Sequence, residues 1–160
     1  MSDSASPVEA REVAVPPDLR TFSELARIDY ENAVLAEFSA AGNRSAEQWV
    51  RAILEQAPAE LRRALLSGWS GMGLRLGPLD DAQHVLGWLI QRSTPDEVVL
   101  STSSEAGLHG ELFVRRRPDS LLYGSFIQLD TGAVRDMWNS VVHEHTPAMC
   151  QLLAGAVNRP

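Results

Sequence analysis

The stretch Thr131–Val157, TGAVRDMWNSVVHEHTPAMCQLLAGAV, decides how the rest of the chain is read. Val134, Met137, Trp138, Val141, Val142, His145, Met149, Leu152, Leu153 and Ala156 recur in it at three- and four-residue spacing. At about 100° per residue they share one face of a helix spanning about 40 Å. One polar side chain, His145, lies near the centre of that face, about 20° from Trp138 on the wheel. Water cannot satisfy so wide an apolar stripe, so a second surface must cover it. Pro147 falls on the opposite side and bends the helix away from itself, curving the apolar side around its partner.

Working back from this helix, four strands precede it, with turn signals between them. His84–Gln91 sets Leu86, Trp88 and Ile90 on one face. Val98, Leu100 and Thr102 face inward on the next strand. Leu112 and Val114 do so on Leu108–Arg115, and Tyr123, Ser125, Ile127 and Leu129 on Leu121–Leu129. Connections this short favour an antiparallel meander, and Asp130 or Thr131 caps the helix. Further upstream, Ser45 with Gln48 has the spacing of a capping box and opens a helix carrying Ala46, Trp49, Val50, Ile53, Leu54 and Ala57. Pro58 starts a second short helix as its first residue, with Leu61, Ala64, Leu65 and Trp69 on its buried side. A glycine-rich run follows, Gly68 to Gly77, which reads as a flexible lid with Met72 and Leu74 as apolar tips. Alternation over Leu25–Phe38 predicts a first strand with Ile28, Tyr30, Asn32, Val34 and Ala36 inward. Residues 1–20 are small, polar and proline-bearing and read as a mobile arm, at most docked through Val13 and Val15.

A chain of 160 residues is most simply one domain, here residues 21–160 behind the arm. The net charge of −7 argues against a nucleic-acid footprint. Arg115–Arg117 is the only local basic patch and reads as a solvated turn. All fourteen basic residues are arginine, which removes Schiff-base chemistry on lysine. The single cysteine, Cys150, excludes an internal disulfide and a multi-cysteine zinc site. No charged head followed by an apolar run opens the sequence, and no segment approaches about 18 apolar residues, so no membrane insertion and a cytoplasmic location are expected.

The order is one strand, two helices, four strands and one long helix. In ARIDYENAVLAEF, SAEQWVRAILEQAP, LGWLIQRSTPDEVVL, SLLYGSFIQLD and MWNSVVHEHTPAMCQLL the chain resembles the START-like, or SRPBCC, helix-grip superfamily. That group includes polyketide cyclases and aromatases, pollen-allergen-like proteins and lipid-transfer domains. The resemblance covers roughly residues 25–157 and is to a small bacterial member. It implies an α+β fold in which a curved antiparallel sheet, here of about five strands where larger members have seven, wraps a long C-terminal helix. It also implies a hydrophobic pocket between sheet and helix, sometimes catalytic and often only a container.

His145 is the sharpest chemical candidate. A buried imidazole can bind a ligand carbonyl or hydroxyl, or act as general acid or base; equally, one neighbouring hydroxyl can satisfy it as a structural residue. Tyr30, Asn32, Thr102, Tyr123 and Ser125 are polar tips on the inward face. Trp69, Trp88, Trp138, Val141 and Met149 supply apolar walls, and together they make the ligand-binding set. Each of these also has an ordinary role in a packed core. His143 and His145 diverge by about 200° and cannot share an ion, so neither a metal nor another cofactor is expected. His109, Glu111 and Arg115 read as a solvated ladder on the outer sheet face, and Cys150 as an unreactive thiol. No nucleophile elbow or phosphate-binding loop is present.

Three functions remain open. The first is a container for a small hydrophobic or aromatic molecule. The second is a cyclase, dehydratase or isomerase with His145 as acid/base and Tyr30 or Tyr123 positioning an oxygen. The third is an interaction domain with a collapsed cavity, for which a homodimer is one form.

Overall fold

The computed structural model describes residues 6–159, so the first five residues of the expected arm lie outside the described part. Seven strands form one antiparallel sheet: β1 (Ala10–Val13), β2 (Tyr30–Glu37), β3 (His84–Val85), β4 (Trp88–Ser93), β5 (Glu97–Ser103), β6 (Leu108–Arg117) and β7 (Ser120–Leu129). Their spatial order is β1-β2-β7-β6-β5-β4-β3. Between β2 and β3 come α1 (Ala46–Leu54) and α2 (Ala59–Gly71), and α3 (Gly132–Asn158) closes the chain. The class is α+β with a long C-terminal helix, but the strand count is seven rather than about five.

Two local causes account for the extra strands. The expected strand His84–Gln91 is broken by a two-residue reversal at Leu86 and Gly87, both with positive φ (47° and 89°), which makes β3 and β4 a tight hairpin. A turn with two left-handed central residues matches the twist of the flanking strands. Leu86 accepts that conformation at a cost of about 1–2 kcal/mol while its side chain is buried. The other addition, β1, falls inside the stretch expected to be a mobile arm: Ala10–Val13 pairs in register with Ala33–Ala36 of β2.

The inner face of the sheet carries the main core. α3 lies against β1, β2 and β7, while α1 covers β5, β6 and β3 and touches α3. α1 starts as its sequence says: Ser45 Oγ accepts from the Gln48 amide at 3.1 Å, and the Gln48 side chain accepts from Ser45 N–H at 2.8 Å. The N-cap of α3 is Thr131, whose hydroxyl accepts from Val134 N–H at 3.2 Å. α2 departs from expectation. Pro58 is its N-cap rather than its first residue, no side chain caps it, and none of its residues is fully buried. Leu61, Leu65 and Trp69 are half-buried and Ala64 is exposed.

The outer face holds a second, smaller core. Val15, Leu19, Ala33, Val99, Phe113, Leu122 and Phe126 pack there, joined by Val13, Phe22, Leu25 and Ile28. Residues 13–28 therefore run as a strap across the sheet, and Ile28, expected on the inner face, belongs to this outer cluster. Gly124 is required here, because a Cβ would sit 2.2 Å from Phe113 Cζ and 2.5 Å from the Asn32 carbonyl oxygen. The strap also corrects the reading of the outer ladder. Arg115 is only 6% exposed, paired with Asp18 at 2.6 Å and Glu97 at 3.1 Å, and Glu111 is 0% exposed. The Arg115 guanidinium holds the Asp18 carboxyl below its usual range. Among the described residues no helix is long and apolar enough to cross a membrane.

Candidate functional site

His145 is placed by the register of α3, which turns it onto the sheet three to four residues from Val141, Val142 and Met149. Its Nε2 lies 2.9 Å from Ser125 Oγ on β7. Ser125 donates its own proton to Asn32 Oδ1 on β2. The Asn32 amide nitrogen in turn donates to Thr146 Oγ1 at 3.0 Å and to Met149 Sδ at 3.2 Å. This sequence of bonds fixes the tautomer: Ser125 has spent its proton on Asn32, so Nε2 carries the imidazole proton and Nδ1 the lone pair. Burial pushes the His145 pKa down to about 4, which keeps the ring neutral at pH 7. Aromatic edges surround it, with ring centroids of Trp138 at 5.1 Å and Tyr30 at 5.9 Å.

Beside His145 is a cavity of about 50 Å³, lined by Trp69, Met72, Leu74, Trp88, Leu108, Gly110, Leu112, Ile127, Trp138 and His145. That volume is one or two times the roughly 30 Å³ share of a liquid water molecule. Its roof is the C-terminal end of α2 and the loop after it, where Trp69 meets Trp88 edge-on at 5.5 Å. Gly110 leaves room for the Trp88 ring, since a Cβ there would lie 3.2 Å from Cη2. The indole N–H groups of Trp88 and Trp138 are buried and have no hydrogen-bond partner among the described residues. Each such group costs about 1–3 kcal/mol while unpaired.

Of the expected ligand-binding set, Trp69, Trp88, Trp138 and His145 line the cavity. Asn32, Ser125 and Met149 stand behind His145 as the bond network that orients it, and Tyr30 stacks against Trp138 at 5.2 Å. Tyr123 is buried in the main core away from the cavity, and burial raises its pKa well above the tyrosine range. Val141 is half-buried and packs at the edge of that core without lining the cavity. Thr102 is also elsewhere. Its hydroxyl donates to the Arg75 carbonyl and pins the loop after α2, because β5 has by then run past the cavity. Met72 and Leu74, read from sequence as lid tips, do reach it. Leu108, Gly110, Leu112 and Ile127 complete the wall from strand positions that share the inner-face alternation of residues already singled out.

A larger open recess of about 780 Å³ lies between α1, α2 and residues 79–82. Several of its polar groups are engaged within the fold: Arg51 binds Glu55 at 2.8 Å and the Ala82 and His84 carbonyls, and Arg62 donates to the Glu55 carbonyl. The small apolar cavity is therefore the better candidate. No group of three or more His, Cys, Asp or Glu among the described residues is placed to hold a metal ion. No protein-family model matches the chain, and neither the curated proteins nor the solved structures contain a significant match to it.

Proposed function

We propose that this protein is a START-like helix-grip domain that binds a small hydrophobic or aromatic molecule bearing an oxygen acceptor, in the cavity beside His145. The element order and a sheet of seven strands, the count of the larger members of that superfamily, support the fold assignment. The observation that carries the binding reading is that two residues lining this largely apolar cavity, Trp88 and Trp138, keep buried indole N–H groups without a partner among the described residues. A ligand carbonyl, ether or phenol oxygen would satisfy a donor there, and His145 Nδ1 would accept from a ligand hydroxyl.

The cavity has to grow for this. Benzene occupies an engineered apolar cavity of about 150 Å³, roughly threefold the volume present here. α2 is the element able to move, since no residue of it is fully buried. Binding is favoured over acid–base turnover because the one ring proton of His145, on Nε2, is directed at Ser125, and a histidine with a pKa of about 4 is not an imidazolium at pH 7. It is also far weaker as a base than the near-neutral optimum for such catalysis.

Titration of the protein with 2-naphthol, followed by tryptophan fluorescence and by native mass spectrometry, tests the reading. One equivalent taken up with saturable quenching supports it. No saturation by about 1 mM, the weak end of specific binding, overturns it.

A further inference from the structure

On the opposite side of the sheet, where the strap crosses β4–β7, a recess of about 310 Å³ opens between residues 24–26 and the strands. Glu111 of β6 lines it and is 0% exposed. Its Oε2 accepts from the Glu24 amide at 2.8 Å and from Gln91 Nε2 at 2.9 Å. Its Oε1 is buried with no partner among the described residues, and no arginine or histidine pairs with this carboxylate. Three carboxylates nearby are matched, Asp18 and Glu97 by Arg115, and Asp130 by Arg27 and His109, while Glu24 is exposed at the rim. A buried carboxylate without a cation loses solvation that two neutral donors on one oxygen do not restore.

The rest of the lining completes a polar cup. Ser101, Ser103, Gln91 and Gln128 contribute hydroxyls and amides to the lining around the carboxylate. Gln128 Oε1 accepts from Ala26 N–H at 2.9 Å, which fixes the strap over the rim. The lining carries two carboxylates, Glu111 and the exposed Glu24. Its imidazole, His109, is already held by Ser103 Oγ at 2.7 Å and Asp130 at 2.8 Å. The recess therefore suits a guest with one positive charge and several N–H donors. The recess has about ten times the volume of a water molecule, so the guest is larger than a bare alkali ion.

We propose that this recess binds a primary organic ammonium ion, with Glu111 as its counter-ion. The head group reaches the carboxylate by displacing the Gln91 amide, whose other bond, to the Phe22 carbonyl, is long at 3.5 Å. The strap amides of Glu24 and Ala26 remain in place and report on occupancy. The site is independent of the inner cavity, which lies on the other face of the sheet.

The test uses the full chain and n-butylammonium chloride, with 1-butanol and potassium chloride at matched concentrations, read by amide chemical shifts and calorimetry. Saturable shifts at Glu24, Ala26, Glu111 and Gln128 with the ammonium alone support the proposal. Equal shifts with potassium chloride, equal shifts with butanol, or no saturation each overturn it. Glu111→Gln should weaken the ammonium about tenfold or more, the loss of a charge-assisted bond, and unchanged affinity in that variant counts against it. Should Glu111→Gln fail to fold, Gln91→Ala serves instead. Freed of its competing amide, the carboxylate should bind the ammonium several-fold tighter, and an unaltered or weaker affinity overturns the proposal.

Discussion

The two ends of the sheet's inner face, one covered by α1 and the other roofed by the end of α2, treat their tryptophans differently. Under α1, Trp49 is 5% exposed and its indole nitrogen donates to the Ala41 carbonyl at 2.8 Å. Toward α2, Trp88 of β4 and Trp138 of α3 are buried as deeply, yet their indole nitrogens have no partner among the described residues. α1 buries six of its nine residues and is doubly capped at its start, whereas α2 buries none of thirteen. One end of the interior is therefore finished as a core, and the other is left with unspent hydrogen-bonding capacity beneath a loosely held helix. Folding and binding are divided along the length of one layer.

The largest expected effect tests the finished end. Ile53→Ala in α1, at a fully buried position, should cost about 2–5 kcal/mol in urea unfolding; a cost below that range would erase the contrast. Acid probes the other end. His145 has a folded pKa near 4 against about 6.5 unfolded, so the unfolded chain binds its proton first as pH falls. Stability should be complete above about pH 6.5 and decline by up to ~3 kcal/mol as pH approaches 4. His145→Gln should remove that slope, as followed by thermal unfolding across the same range.

A sharper comparison exchanges indoles. Trp49→Phe deletes a donor and leaves the Ala41 carbonyl unpaired, for an expected loss of about 1–3 kcal/mol. Trp138→Phe deletes a donor that pairs with nothing and should cost less. Equal losses would contradict the division drawn here. Among the smaller effects, Ser45→Ala should cost about 1 kcal/mol through the lost cap of α1. Leu65→Ala in α2, at a half-buried position, should fall under about 1 kcal/mol. Hydrogen exchange completes the series: α2 amides should open at lower free energy than those of α1.

The elements that sequence reading recovers are those whose signals are local. The Ser45–Gln48 box, the Thr131 cap and the meander from β5 to β7 each rest on a few adjacent residues, and His145 follows from the helical period alone. The strap was not legible. Val15, Leu19, Phe22, Leu25 and Ile28 follow no single period, and the surface they cover is assembled from four strands. A signal did exist in β6 and β7, where LFV and LLYGSFIQL are nearly unbroken apolar runs with burial on both faces. Strands buried on both sides read in this continuous way, which places Glu111 and Arg115 in an interior rather than in water. The cavity was only half legible. Alternation assigns Thr102 and Leu108 to the inner face alike, but the alternation itself carries no information about where along a strand the cavity stops.

The main chain of Val8 is grasped from both sides by Asn158: its N–H donates to Asn158 Oδ1 at 2.9 Å, and its carbonyl accepts from Asn158 Nδ2 at 2.9 Å. Start and finish of the described fold thus meet at a single amide. A short peptide bridge across that junction should yield a circular protein with every strand pairing kept, which could be cut open again at the Arg117–Ser120 hairpin to give a permuted chain. Its two new ends would emerge at the same end of the strands as the old ones but in mid-sheet, since Ala10 pairs with Ala36 and Ala36 with Leu121, giving cargo or labels a second point of attachment.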